Sequence, residues 1–178
     1  EQIELWPGQW GAKNWAHAAY NPQTGLLYAN TMHNSRLVKF EPVEYKVGQR
    51  YVGLQNLPAP REAGSPIAHV DAIEPLTGKH RWRAPIMDIP HYAAVLATAG
   101  GLLFTGKETG EFIAIDIDSG KTLWQFQTSS GINAQPITFT HKGRQYVAIQ
   151  SGVGGVNVLR MGEQLRNVPR GEIGRAHV

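Results

Sequence analysis

The phrase A-I-E-P-L-T-G-K-H-R-W at residues 72–82 is written a second time, as A-I-D-I-D-S-G-K-T-L-W, at residues 114–124. Seven positions match, and matching residues lie 42 positions apart. In each copy alternating apolar residues predict a strand, the acidic residue and Thr/Ser-Gly-Lys predict a tight turn, and a return strand ends at the tryptophan. A strand-turn-strand repeat of about 40–50 residues with a fixed tryptophan is typical of β-propeller blades.

The composition agrees with a turn-rich β protein. Of 178 residues, 42% are hydrophobic and 17% are charged, and the sequence contains 20 glycines. The net charge is only +3 and the basic residues are scattered, so we expect no nucleic-acid partner. No apolar run reaches the ~18–20 residues that cross a bilayer, so no transmembrane segment is predicted. The sequence has no cysteine, which excludes disulfides and thiolate metal sites within it.

Further strands are predicted on both sides of the repeat. Turn chemistry at N-P-Q-T-G, residues 21–25, predicts a hairpin, and alternation predicts another between residues 36–40 and 49–53. The proline-rich residues 54–66 are typical of an exposed loop, and residues 1–14 of a loop packed against a flat surface.

We therefore predict an all-β fold, a partial β-propeller of about two to three four-stranded blades. Strands at this spacing also fit a sandwich or barrel, but the tryptophan repeat favours a propeller. Because a stable propeller needs ~4–8 blades, we expect residues 1–171 to be part of a larger one. Residues 172–178 lack the blade pattern and resemble a translated sequencing adapter, so we expect them to be a non-native tail.

The repeated residues themselves have structural interpretations. Trp82 and Trp124 recur once per blade, whereas one cofactor does not need a tryptophan from each blade. We predict that each docks between neighbouring blades, with its N–H donating to a backbone carbonyl. Glu74 and Asp116 occupy equivalent turn positions and are predicted to cap their turns, not to act as acids or bases.

Three stretches resemble the pyrroloquinoline quinone (PQQ)-dependent alcohol dehydrogenases, the methanol/ethanol dehydrogenase group of eight-bladed quinoproteins. The resemblance runs from about Trp6 to Arg170 and implies the C-terminal part of that propeller. The stretches are G-A-K-N-W at residues 11–15 with Y-N-P-Q-T-G-L-L-Y at 20–28, L-A-T-A-G-G-L-L-F-T-G at 96–106, and P-I-T-F-T-H-K-G-R-Q-Y-V-A-I at 136–149, running into G-V-G-G at 152–155.

The resemblance implies a periplasmic enzyme that oxidises a small primary alcohol to an aldehyde by hydride transfer to PQQ. A Ca²⁺ or lanthanide ion would assist, and electrons would pass to a cytochrome c-type acceptor. By the same resemblance, the metal ligands and the catalytic aspartate belong to earlier blades outside this sequence. No acidic residue here is therefore given a catalytic or metal role, and the chain alone is expected to be inactive.

Four residues match cofactor-facing positions of that family. Asn14 matches an asparagine whose amide reaches the quinone's polar edge, and Tyr92 stands where several members place a tryptophan. Gly155 and Val156 fall where methanol dehydrogenases have Gly-Trp, so the indole contact is lost. Each also has a structural interpretation: Asn14 could satisfy local backbone, Tyr92 could be a core aromatic, and the Gly154–Gly155 pair could form a turn.

A different class of function also fits the repeat, which non-enzymatic propellers share. The alternative is a non-catalytic propeller that acts as a scaffold for protein assembly. The loop Trp6–Trp15 favours the enzyme, because a scaffold has no need of it.

Overall fold

The computed structural model describes residues 2–49, 51–154, 161–171 and 176–177. Within these residues the chain forms strands and no helix, as the all-β prediction requires. The strands are β1 (Gln2–Leu5), β2 (Ala19–Asn21), β3 (Leu26–Met32), β4 (Arg36–Phe40), β5 (Leu54–Pro58), β6 (Ala68–Ile73), β7 (His80–Met87), β8 (Leu96–Ala97), β9 (Leu102–Gly106), β10 (Glu111–Asp116), β11 (Thr122–Gln127), β12 (Ile137–His141), β13 (Arg144–Gln150) and β14 (Ala176–His177).

The strands form four antiparallel sheets. The order β2-β3-β6-β7 makes a four-stranded sheet, here called the first blade, and β8-β9-β10-β11 makes the second blade. A third sheet contains β12, β13 and β14, and a small sheet contains β1, β4 and β5. Two complete four-stranded blades, together with the β12–β13 hairpin as part of a third, confirm the predicted partial propeller.

The repeated phrase has the same geometry in both blades. Trp82 lies opposite Ala72 in the first blade, and Trp124 lies opposite Ala114 in the second. Each pairing is followed at once by a shift of register, so the two copies share a β-bulge as well as a sequence. The predicted hairpins of both copies are therefore confirmed, and both contain the same bulge, which was not predicted.

The two turns of the repeat are capped as predicted. The Thr77 hydroxyl donates to Glu74 Oε2. Asp116 Oδ1 accepts from the backbone N–H and the hydroxyl of Ser119, at 2.8 and 2.6 Å. These hydrogen bonds from Ser119 lower the pKa of the exposed Asp116 carboxyl, because they favour its charged form.

Trp82 joins the two blades, as predicted. Its indole N–H donates to the Ile117 carbonyl across the blade interface at 3.0 Å. Its ring lies directly over Gly120, where an added Cβ would come within 2.7 Å of the ring. Gly120 also has a φ of +73°, which a side chain would strain. The glycine of one blade is thus required by both its own turn and its neighbour's tryptophan.

An apolar cluster lies beside the contact of Trp82 with Ile117 and Gly120, here called the Trp82 joint. Tyr28 and Val70 of the first blade pack with Leu103, Ile113 and Ile115 of the second. All five are buried, and Trp82 packs against the cluster from outside. Burying an aliphatic side chain contributes about 1.5–3 kcal/mol, so this interface is a major source of stability.

Trp124 does not dock as predicted. It is 49% exposed, and within the described residues its indole N–H makes no hydrogen bond. Its ring instead meets Phe112 edge-on and stacks on Phe126. The prediction is wrong for this residue because, among the described residues, no counterpart of the Gly120 turn packs over its ring.

The small sheet was not expected. Strand β4 pairs with β5, which follows the segment predicted to be its partner and lies inside the segment predicted to be a loop. Pro58 sits at the end of β5, an edge strand, where a missing N–H is tolerated. Strand β1, Q-I-E-L, alternates polar and apolar residues, but it is only four residues long and exposed at every residue, and it was not predicted. Its backbone pairing with β4 replaces part of the predicted N-terminal loop.

The Trp82 joint predicts unequal effects for two matched substitutions. Trp82→Phe removes the N–H, leaves the Ile117 carbonyl unpaired and should lower the free energy of unfolding by about 1–2 kcal/mol. Trp124→Phe, the equivalent change 42 residues later, should cost about 0.5 kcal/mol or less because that ring is half exposed. Urea unfolding of both variants provides the measurement, and equal losses would contradict the assigned joint.

Candidate functional site

The loop that carries Asn14 is fixed against the first blade. Gly11 adopts a φ of +74°, and its N–H donates to the Gly8 carbonyl at 3.0 Å. The Ala12 carbonyl accepts from the Met32 N–H at the end of β3, at 2.7 Å. The Lys13 ammonium donates to the Ala16 carbonyl further along the loop. The loop is therefore bonded to β3 just before Asn14 and closed by an internal hydrogen bond that spans Asn14.

Asn14 is exposed and bonded to its own loop. Its Nδ2 donates to the Trp10 carbonyl at 3.0 Å, and its Oδ1 accepts from the Trp15 N–H at 2.9 Å. These contacts agree with the alternative interpretation of Asn14, in which its amide satisfies backbone groups of its own loop. Each of the two amide atoms still has capacity for another hydrogen bond, since an amide offers two donor hydrogens and two acceptor lone pairs.

Tyr92 is buried beneath the same loop. The rings of Trp15 and Tyr92 are nearly parallel, at 7°, with centroids 6.2 Å apart. Tyr92 is 4% exposed, whereas Trp15 is 61% exposed. An offset parallel pair of this kind supplies a flat apolar surface with one side open. The structure thus brings the Asn14 loop and Tyr92 together through Trp15.

Trp15 is the residue of this site that sequence reasoning missed. The sequence marked it only as part of the G-A-K-N-W stretch. Its adjacency to Asn14 was the available signal, but nothing in the sequence places residues 15 and 92 in contact. A flat, open aromatic face beside an exposed amide fits a planar, polar-edged cofactor such as PQQ.

A buried polar network lies under Tyr92. Glu108 and His91 are fully buried; Glu108 Oε1 accepts a hydrogen bond from the Tyr92 backbone N–H, and Oε2 lies 3.0 Å from His91 Nδ1. Thr105 lies at the far side of the imidazole, 3.4 Å from Nε2. The His91 carbonyl accepts from Asn30 Nδ2 at 3.3 Å. None of these residues has a functional role predicted from the sequence.

Gly155 and Val156 lie outside the described residues. The residue closest to them that contributes to the core is Val153, which packs in one cluster with Tyr92, Ile89 and Met161. The segment that leads to Gly155 therefore passes beside Tyr92.

The described residues contain neither a candidate metal-binding cluster nor a membrane-spanning helix. Among them, no three His, Asp or Glu side chains come together in a way that could hold a metal ion. The same part of the chain contains no helix long and apolar enough to cross a bilayer.

Asn14 supports a prediction about the loop. Asn14→Ala removes the acceptor for the Trp15 N–H and the donor to Trp10, and should lower the free energy of unfolding by about 0.5–1.5 kcal/mol. Asn14→Asp keeps the acceptor for the Trp15 N–H but places a carboxylate oxygen against the Trp10 carbonyl, so it should also lower the free energy of unfolding. Urea unfolding followed by tryptophan fluorescence measures both. The assigned contacts are wrong if either variant is as stable as the unmodified chain.

Repeated four-stranded sheets joined by a tryptophan define the chain as part of a β-propeller, and comparison with known proteins identifies which kind. Residues 66–147 match the family model described as the β-propeller domain of glucose/ethanol/alcohol dehydrogenases with PQQ. The quinoprotein ethanol dehydrogenase of Pseudomonas aeruginosa is 39% identical over 161 residues, covering 90% of this chain and 26% of that protein. A lanthanide-dependent methanol dehydrogenase of Methylorubrum extorquens is 40% identical over 153 residues, covering 84% of this chain and 25% of that protein.

A solved structure gives the same result. A europium-containing methanol dehydrogenase superposes with a TM-score of 0.78 at 34% identity, covering 89% of this chain and 29% of that one. The chain belongs to the PQQ-dependent alcohol dehydrogenase family. It spans about a quarter of the length of the curated relatives it matches.

Proposed function

We propose that residues 1–171 are the C-terminal part of a periplasmic quinoprotein that oxidises small primary alcohols to aldehydes, and that residues 172–178 are a non-native tail. PQQ, when bound, supplies the electrophilic centre that accepts the hydride. A cytochrome c-type protein would take up the electrons. The ligands of the Ca²⁺ or lanthanide ion and the catalytic aspartate would come from parts of the protein outside this chain. The observation that carries the proposal is the Trp15–Tyr92 stack beside Asn14, in a chain of this family.

This chain's own residues would bind and orient the cofactor. The open face of Trp15, supported from below by Tyr92, gives a flat ring an apolar surface to lie against and excludes water from that side. The amide of Asn14 can donate to a polar edge with the hydrogen that Trp10 does not use. We propose that Gly155 and Val156 also face the cofactor, since a glycine lets backbone approach a flat ligand closely.

The chain alone should not oxidise alcohols. A dye-linked assay with ethanol, added PQQ and Ca²⁺ should give no turnover above the protein-free blank. The reason is that the general base and the metal ligands are proposed to lie outside this sequence. Measurable turnover by the chain would contradict that assignment.

A chimera tests the enzyme against the scaffold alternative. The matching segment of the P. aeruginosa quinoprotein ethanol dehydrogenase would be replaced by residues 6–170 of this chain, and PQQ content and dye-linked ethanol oxidation measured. The enzyme predicts a chimera that holds PQQ and turns over. In that background Tyr92→Ala should reduce kcat/KM by roughly tenfold or more, while the surface change Lys142→Ala should not. A folded chimera without PQQ would support the scaffold.

A further inference from the structure

Glu108 is a buried carboxylate in an unusual position. It lies in the turn between β9 and β10, yet it is 0% exposed. The turn is held by the Lys107 N–H donating to the Glu111 carbonyl at 2.8 Å and by the Gly110 N–H donating to the Lys107 carbonyl at 2.9 Å. A turn residue normally reaches solvent, and burying a carboxylate is costly unless its oxygens are hydrogen-bonded. Its burial therefore points to a specific task.

The two carboxylate oxygens divide between two consecutive residues. Oε1 accepts from the Tyr92 backbone N–H, and Oε2 lies 3.0 Å from His91 Nδ1. With the imidazole hydrogen on Nδ1, His91 donates to the carboxylate, and Nε2 can accept from the Thr105 hydroxyl. The neighbouring cation, Lys107, is directed to Glu111 instead. Among the described residues, segment 91–92 thus supplies both hydrogen bonds to this carboxylate.

The same segment carries Tyr92, whose ring stacks with that of Trp15 to form the proposed cofactor-binding surface, here called the Trp15–Tyr92 platform. Glu108 fixes the peptide immediately before the Tyr92 side chain, and the ring of Tyr92 supports Trp15. Just beyond, the Ala94 and Val95 N–H groups donate to the Ala134 and His17 carbonyls, so the following residues are also held. A shift of the 91–92 peptide would therefore move the Tyr92 ring, and with it the open face of Trp15.

We propose that Glu108 is a positioning residue: its carboxylate, by bridging the Tyr92 N–H and the His91 ring, sets the position of the Trp15–Tyr92 platform. The inference rests on the proposed function for the identity of the ligand that uses the platform. This role requires a side chain long enough to contact both residues and able to form a hydrogen bond with each of them. It does not require negative charge at the cofactor.

Two substitutions separate reach from charge. Glu108→Gln keeps the length of the side chain, and its Oε1 can accept from the Tyr92 N–H. The glutamine Nε2 can donate to His91 Nδ1 when the imidazole hydrogen is on the other ring nitrogen, His91 Nε2, which then donates to the Thr105 hydroxyl. Glu108→Asp keeps the charge but withdraws the carboxylate by about one C–C bond, roughly 1.5 Å, so it cannot hold both partners. Glu111→Gln is the matched control, because Glu111 lies in the same hairpin and bonds Thr109 and Lys107 instead.

Two measurements are made on the full chain. The first is hydrogen exchange of the Tyr92 amide by NMR, and the second is the affinity for PQQ from quenching of tryptophan fluorescence. Glu108→Gln and Glu111→Gln should keep the Tyr92 amide protected and the affinity within about twofold of the unmodified chain. Glu108→Asp should lose that protection and weaken PQQ binding by roughly tenfold.

The outcomes separate this inference from the proposed function. An aspartate variant that matches the unmodified chain while the glutamine variant fails would overturn positioning in favour of a role for charge. A protected Tyr92 amide in Glu108→Asp would also overturn it, as would unchanged PQQ affinity after that protection is lost. If the unmodified chain takes up no PQQ but the amide results are as expected, the cofactor role of the platform fails and the positioning of Tyr92 by Glu108 stands.

Discussion

The contact of the Trp82 ring with the Gly120 turn is the constraint on which the rest of the structure depends. One side chain fills the space above the turn, and its N–H occupies the Ile117 carbonyl at the same place. This combination fixes both the distance and the rotation between neighbouring sheets, which apolar packing alone would leave loosely defined. The buried cluster behind it, from Tyr28 to Ile115, then packs in a single arrangement.

The position of the candidate site follows from that arrangement. The Asn14 loop is anchored to the first blade through Met32, while Tyr92 precedes the second blade and is held by a turn of that blade through Glu108. Trp15 and Tyr92 can stack only if the two blades are correctly placed. The joint at Trp82 and the platform at Trp15 are thus two contacts between the same pair of sheets. A cofactor held on that platform would be sensitive to how the blades are joined.

The repeat made the blades predictable from sequence, because a phrase repeated in register gives the same strand and turn twice. Residues with no repeated counterpart were harder. Strand β1 alternates polar and apolar residues over only four positions, is exposed throughout and depends on the edge of β4, so its pairing is not evident from its own short sequence. Trp124 ends the same repeated phrase as Trp82 but lies in a different environment, which depends on the neighbouring sheet. In the site, Asn14 and Tyr92 came from the family resemblance, whereas Trp15, His91 and Glu108 depend on contacts between residues distant in sequence.

A double-mutant cycle tests the joint most directly, with Gly78 as the reference because it has the same φ of +73° and no atom within 4 Å of an added Cβ. Gly78→Ala should lower the free energy of unfolding by about 1–2 kcal/mol from backbone strain alone. Gly120→Ala should cost about 1–3 kcal/mol more, because its methyl group would overlap the Trp82 ring. In a Trp82→Ala background that excess should disappear, leaving the two glycine substitutions equal. If Gly120→Ala keeps its full excess without Trp82, the ring is not what the glycine accommodates, and the account of how the blades are joined is wrong.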